Sequence, residues 1–397
     1  MNTDYEEIAV YEGDDLIAAV KRLAENEEFT VWLKKHSGKT ISPFQKTLLL
    51  TTMRMSKDPL RVLDNKIVFP FLEALIRKTT DGVYLSGGEN IPSAGAFFMS
   101  NHRDIILDAA LLSYELKTSY DIRPYLGVGN NLFAAEWIED LMRVCKCFTV
   151  IRNGAPKEVM AHAELLSRYI SAKRSEGGSF WLAQREGRAK DGNDRTQPAV
   201  LKMLTLAKSA NTSAGGAQET IGDDFISRLK RLNITPVAIT YDIDPCDYLK
   251  AREMQLKRDD ITWHKTPEDD MLNMKTGLFT PKGQVHLVIT PCINDELDYI
   301  AAETDVRNEQ IRRAAELIDR HIHSAYYLSP FNRAAAALAT GNRDLANDDE
   351  IHSFEHYITR QINRIEIPDG GRDIPFLRNC LITMYANPAL NKRVFEK

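Results

Sequence analysis

A chain of 397 residues, 43% hydrophobic and 27% charged, has the composition of an ordinary soluble globular protein, with ample core for one large or two moderate domains. Its net charge of −5 argues against nucleic-acid binding, which favours strongly basic surfaces. No run of roughly 18 or more apolar residues occurs, so no membrane-spanning helix is expected.

The start, Met1 to Glu7, is acidic and lacks the basic and apolar segments of a signal peptide. This predicts a cytoplasmic protein, either free or peripheral on the membrane surface. Helical periodicity runs over residues 14–36 and 45–79. Within the second stretch, Pro70 to Lys78 is amphipathic with a basic end, suited to packing on the protein body or to lying on lipid. From about residue 80 strands and helices alternate. Val83–Leu85, Ala96–Ser100, Arg123–Val128, Cys147–Ile151, Ser179–Ala183, Ile234–Thr240 and Val285–Ile289 read as strands. Helices are expected from 104, over 131–143 and over Pro156–Arg174. Residues 208–222, rich in Ser, Ala, Gly and Thr, read as a loop or insertion. Beyond 303 the pattern is helical, with elements over 304–325, 328–340 and 347–364. The expectation is an α/β fold: a central mixed, largely parallel sheet flanked by helices (80–300), preceded by N-terminal helices (1–79) and followed by a C-terminal helical extension (301–397).

The five cysteines, Cys145, Cys147, Cys246, Cys292 and Cys380, are odd in number and scattered, which suits reduced thiols better than a disulfide framework. Cys145 and Cys147 read as buried or half-buried strand residues.

Four blocks in the α/β region could carry chemistry. In Asn101-His102-Arg103-Asp104-Ile105-Ile106-Leu107-Asp108, a histidine follows a buried strand and carboxylates follow it. A carboxylate can hold the ring in one tautomer and raise its basicity, as a general base requires. The competing reading makes Asp104 a helix N-cap and His102 a loop residue. In the second block, Cys147 to Gly154, a strand ends on Arg152, whose planar fork suits phosphate or carboxylate. The third, Phe180 to Lys190, ends in Glu186, Gly187, Arg188 and Lys190. The fourth, Ile234 to Thr240, contains Pro236. Taken singly, Arg152, Glu186 and Arg188 are also ordinary ion-pairing residues, and Pro236 an ordinary strand proline. Polar residues after several strands of one sheet converge on one crevice, where α/β folds bind ligands.

The order of these blocks resembles the glycerolipid acyltransferase superfamily, which acylates glycerol 3-phosphate and lysophosphatidate. The resemblance runs from Gly88-Glu89-Asn90-Ile91-Pro92 through Ser100-Asn101-His102 to Pro236-Val237, over roughly residues 80–290. Phe148 with Arg152 is similar to the family's second block and Glu186-Gly187-Arg188 to its third. One departure stands out. The family pattern has four residues between histidine and aspartate, and here five separate His102 from Asp108. One extra helical residue would turn a side chain by about 100° and shift it by about 1.5 Å. Aligning the helix that follows favours Asp108, and Asp104 is the alternative carboxylate.

The resemblance implies direct acyl transfer. His102 would take a proton from the acceptor hydroxyl while Asp108 orients the ring. The hydroxyl oxygen would attack an acyl thioester of coenzyme A or acyl-carrier protein, with backbone N–H groups or nearby cations stabilising the oxyanion. Arg152, Glu186, Gly187 and Arg188 would bind the head group of a glycerophosphate or lysolipid acceptor, and Pro236 would line the acyl side. Neither metal nor cofactor is expected. Three alternatives stand beside this one: a lyso-aminolipid acceptor, a thioesterase or other hydrolase, and a non-catalytic lipid-binding protein on the same scaffold. His321, His323, His352 and His356 read as structural or surface residues, because His352-Ser353-Phe354-Glu355-His356 lacks the glutamate placement of a zinc protease. Asp242 and Asp244 read as turn residues.

Overall fold

The computed structural model describes residues 5–37, 42–133, 135–207, 224–368 and 371–395; the segment 208–222, expected as a loop, lies outside them. The N-terminal region comprises α1 (Gly13–Glu25), α2 (Glu27–Ser37), α3 (Pro43–Met55), α4 (Pro59–Leu63) and α5 (Phe69–Thr79). The long periodic stretch 45–79 is thus two runs, α3 and a continuous helical run in which α4 passes through a π-helical turn (Asp64–Val68) into α5. Ser42 and Asp58 cap α3 and α4, each followed by a proline at the first helical turn, and at Asp58 this starts a new helix where periodicity alone continues the old one. The basic helix α5 packs inward, burying Phe69, Leu72 and Leu75.

The α/β region follows as β1 (Gly82–Ser86), β2 (Phe97–Ser100), α6 (Leu107–Tyr120), β3 (Tyr125–Gly129), α7 (Glu136–Val144), β4 (Cys147–Val150), α8 (Pro156–Ser175), β5 (Phe180–Ala183), α9 (Pro198–Leu204), α10 (Phe225–Lys230), β6 (Ile234–Tyr241), α11 (Asp247–Asp259), α12 (Pro267–Phe279), β7 (Gln284–Ile289) and α13 (Asn294–Glu303). The sheet order is β1-β7-β6-β2-β5-β3-β4. All neighbours are parallel except β6 and β7, so the sheet is mixed and largely parallel, as expected. Alternation along the strands feeds two cores. Phe97, Met99, Phe148, Phe180, Leu182, Ile234 and Ala238 face one side. Phe98, Leu126, Trp181, Val237, Ile239 and Tyr241 face the other, where α6 packs. Cys147 lies in β4, whereas Cys145 caps the C-terminus of α7. Between them Lys146 takes a left-handed φ of 67°, which separates helix from strand, so of the two cysteines expected in the strand only Cys147 lies there.

Four more α-helices follow among the described residues: α14 (Arg307–Ser324), α15 (Pro330–Thr340), α16 (Asp348–Asn363) and α17 (Ile374–Arg393). Ile311, Ala314, Ile318 and Ile322 of α14 belong to the same core as Phe97 and Phe180 of the sheet, so the hydrophobic core does not stop at residue 300. Helix α17 has no counterpart among the elements expected from sequence. It is apolar on most of its circumference, burying Leu377, Leu381, Ile382, Met384, Tyr385 and Ala389, and it carries Pro388 inside, so it lacks the one-sided stripe that marks a surface helix.

Strand β6 is four residues longer than β2 at the carboxyl end, since Ser100 pairs with Val237 and β6 continues to Tyr241. Asn101 uses its side chain to extend the ladder over this overhang. Its Nδ2 donates to the Ile239 carbonyl (2.9 Å) and its Oδ1 accepts from the Ile239 N–H (2.8 Å). Asn101→Ala leaves both backbone groups unpaired in a buried site. The expected loss is about 2–4 kcal/mol of stability, read by denaturant unfolding.

Candidate active site

The carboxyl ends of the parallel strands place His102 after β2, Asn130 after β3, Arg152 after β4 and Gln184 to Gly187 after β5. Because β5 lies between β2 and β3, the first and third sequence blocks emerge side by side.

His102 Nδ1 lies 2.9 Å from Asp108 Oδ2, and the ring retains 14% exposure while the carboxylate has none. The same Oδ2 accepts the backbone N–H groups of Arg103 (2.6 Å) and Asp104 (3.0 Å). Oδ1 accepts from the Tyr241 hydroxyl (2.8 Å). Burial and the Asp108 charge hold the Tyr241 phenol well above its ordinary pKa, so it remains a donor. These four hydrogen bonds compensate for the desolvation of the carboxylate. With Nδ1 engaged as a donor to Asp108, Nε2 is the nitrogen left to accept a proton. Trp181 places its ring edge-on to His102, centroids 6.3 Å apart, and its indole N–H donates to Ser100 Oγ (3.0 Å).

Asp104 does a different job. Its Oδ1 accepts from the backbone N–H groups of Ile106 (2.9 Å) and Leu107 (2.8 Å), capping the turn into α6. The helix therefore starts at Leu107, three residues later than expected from sequence. Asp104 and Asp108 together take four backbone donors, and residues 103–106 form a turn instead of helix. The extra residue between His102 and Asp108 is absorbed in that turn, so no rotation of Asp108 around the helix is needed. Burial, reinforced by Asp108, pushes the Asp104 carboxyl above the ordinary range. Helix α12 approaches it closely: a Cβ at Gly277 would fall 2.0 Å from Asp104 Oδ2.

Arg152 and Glu186 meet at the crevice edge, Nη1 to Oε1 3.7 Å, with 31% and 68% of their side chains exposed. Burial draws the Arg152 guanidinium below its ordinary pKa, against the pull of Glu186. Gly187 is exposed with φ +64°, and a Cβ added there would meet no atom within 4 Å. The loop turns at this point in a conformation that favours glycine for its backbone alone. Two other candidates do not join this group. Arg188 is only 4% exposed, and its guanidinium donates to Asn273 of α12 (2.9 Å). Pro236 is buried in β6 in register with Met99, below the strand ends. Tyr241 is the contributor that sequence reasoning missed, and Asn101 stood in the first block without an assigned role. Tyr241 shares the strand parity of Val237 and Ile239, which is the signal that could have placed it on the face of α6.

The remaining polar residues have structural partners. Asp242 accepts from the Gln284 N–H, and Asp244 pairs with Lys250 (2.5 Å). His321 pairs with Glu296 and His323 with the Asp194 carbonyl. His352 and His356 face each other on the exposed surface of α16. Among the described residues, no helix is long and apolar enough to cross a membrane.

Comparison with known proteins adds three findings. Residues 82–196 match the family model named Acyltransferase. The chain is similar in structure to the 1-acyl-sn-glycerophosphate (LPA) acyltransferase PlsC from Thermotoga maritima, with 14% identity over 79% of this chain and 99% of that one and a TM-score of 0.41. No curated protein matches the sequence. The family match spans the His102–Asp108 pair, Arg152 and the loop carrying Glu186 and Gly187, so the candidate site lies within the segment that is similar to the Acyltransferase family.

Proposed function

We propose that this protein is an O-acyltransferase that moves a fatty acyl group from an acyl thioester to a hydroxyl of glycerol 3-phosphate or a lysophospholipid, in phospholipid biosynthesis. The observation that carries this reading is the His102–Asp108 hydrogen bond at the end of the central strand β2. His102 Nε2 takes the proton of the acceptor hydroxyl as its oxygen attacks the thioester carbon. The new C–O bond forms, the C–S bond breaks, and the proton passes from the imidazolium to the departing thiolate. Asp108 keeps the ring in the productive tautomer and stabilises its charged form. Tyr241, which touches Asp108 and not the ring, is a positioning residue. Arg152 supplies the cation for a phosphate-bearing acceptor, and Glu186 limits its swing or accepts an acceptor hydroxyl. The donor is coenzyme A or acyl-carrier protein thioester, and no metal takes part in these steps.

A peripheral membrane location fits this chemistry. Phe44, Leu48 and Met55 on α3 are 75%, 56% and 83% exposed, and Arg54 and Lys57, near them in the chain, are exposed as well. Exposed apolar side chains with cations near them in the chain suit an anionic lipid surface. This face takes the place of α5, whose apolar side is spent on the protein core. The triple variant Phe44→Ser, Leu48→Ser, Met55→Ser should lose most of its co-sedimentation with phosphatidylglycerol-containing vesicles while keeping its fold.

The reaction is tested by incubating purified protein with an acyl thioester and glycerol 3-phosphate or lysophosphatidate and identifying the products by mass spectrometry. Acylated acceptor is expected, and His102→Ala should lower its rate by about 10³-fold or more. Free fatty acid as the only product would support a hydrolase instead. Formation of neither product, or full activity in His102→Ala, would overturn the proposal.

The two aspartates separate in the same assay. Asp108→Asn should cost about 10²–10⁴-fold in kcat by disturbing the tautomer. Asp104→Asn retains the capping oxygen and should stay within about tenfold of wild type. Tyr241→Phe, which deletes a single hydroxyl, should lower kcat by about tenfold with KM unchanged.

A further inference from the structure

The 185–196 loop is fastened by parts of the chain far outside the matched domain. Its two ends are closed on each other: the Gln197 N–H donates to the Gln184 carbonyl (2.9 Å), and the Glu186 N–H to Gln197 Oε1 (2.8 Å). A loop whose ends are closed in this way has the outline of an Ω-loop. Glu186 and Gly187 are exposed at the crevice, whereas Arg188, Ala189, Gly192, Asp194 and Thr196 are buried. A buried irregular segment needs partners for its backbone, because it has no ladder of its own.

Those partners come largely from α14 and α17. Asp319 Oδ1 accepts both the N–H and the hydroxyl of Thr196 (2.7 Å each). Asn387 donates to the Asp191 carbonyl (2.8 Å), and Asn391 donates to Asn193 Oδ1 (3.2 Å). Gly192, with φ +71°, lies so close to α17 that a Cβ would sit 2.1 Å from the Met384 carbonyl oxygen. Asp194 links this anchorage to the other half of the site. It pairs with Arg103, the residue after His102 (2.9 Å), and accepts from the Tyr326 hydroxyl (3.0 Å) beyond the end of α14.

From this arrangement we propose that α14 and α17 are positioning elements for the acceptor side of the site, holding the 185–196 loop so that Glu186 and Gly187 stay beside Arg152. The inference rests on the reading of this crevice as an acyl-acceptor site. It gives the C-terminal helices a role in acceptor affinity without contact with the reacting atoms. Asp319, Asn387 and Asn391 are the positioning residues.

The test uses the full-length double variant Asn387→Ala, Asn391→Ala, which removes two anchors from α17 and leaves its apolar face intact. Kinetics are measured with glycerol 3-phosphate, lysophosphatidate and acyl-coenzyme A, and hydrogen exchange is followed by mass spectrometry on the peptide covering 185–197. The expected result is a rise of about tenfold in acceptor KM, with kcat and donor KM within about twofold. Exchange in 185–197 should become about tenfold faster, while that of the peptide covering β2 and the start of α6 stays unchanged. An unchanged acceptor KM with unchanged exchange would overturn the proposal, as would a fall in kcat that tracks a general loss of thermal stability. If the double variant does not fold, Thr196→Val removes one hydroxyl from the Asp319 anchor and is judged by the same criteria. A wild-type protein that acylates no acceptor would count against the enzymatic reading, whereas the exchange experiment judges the loop anchorage alone.

Discussion

The carboxylate of Asp108 is fully buried in the first turn of α6, and the surrounding architecture is arranged around that charge. An unpaired ion in such a place would cost several kcal/mol. Here it accepts hydrogen bonds from the His102 ring, the Arg103 and Asp104 backbone, and the Tyr241 hydroxyl. These donors come from the turn after β2 and from the overhanging end of β6. The site therefore draws on strand, turn and helix together.

The same constraint accounts for features that look unrelated along the chain. Strand β6 overhangs β2, Asn101 bridges the overhang with its carboxamide, and Tyr241 closes it on Asp108. Asp104 stops the helix short of His102, which leaves the histidine on a turn instead of a helical face. Behind this, the Arg103 carbonyl accepts from Lys250 of α11 (3.0 Å) and its guanidinium pairs with Asp194. A rigid support of this kind is what a general base requires, because small displacements of a reacting group are costly in rate.

Much of the fold is legible in the sequence, for reasons that can be named. Each of the seven strands is a short apolar run bounded by polar or turn residues, and such runs survive any reading of periodicity. Boundaries governed by side-chain to backbone bonds are harder to see. The start of α6 depends on which amides Asp104 and Asp108 accept, and a 3.6-residue pattern carries no record of that. Helix α17 is hidden by its uniform burial, and Tyr241 by its distance of 133 residues from Asp108. The blocks containing Arg188 and Pro236 are visible as groups, but the burial of these two residues is not: one side chain turns toward Asn273, and the other lies inside the sheet. Motif spacing marks which loops meet, whereas packing decides which of their side chains face the crevice.

The most direct measurement is the tautomeric state of His102, read from the ¹⁵N and ¹H shifts of its ring and assigned by comparison with His102→Ala. The account predicts a neutral ring protonated on Nδ1, with that proton shifted strongly downfield by Asp108, and loss of this signature in Asp108→Asn. A ring protonated on Nε2, or a rapidly averaging mixture like that of an exposed histidine, would contradict it.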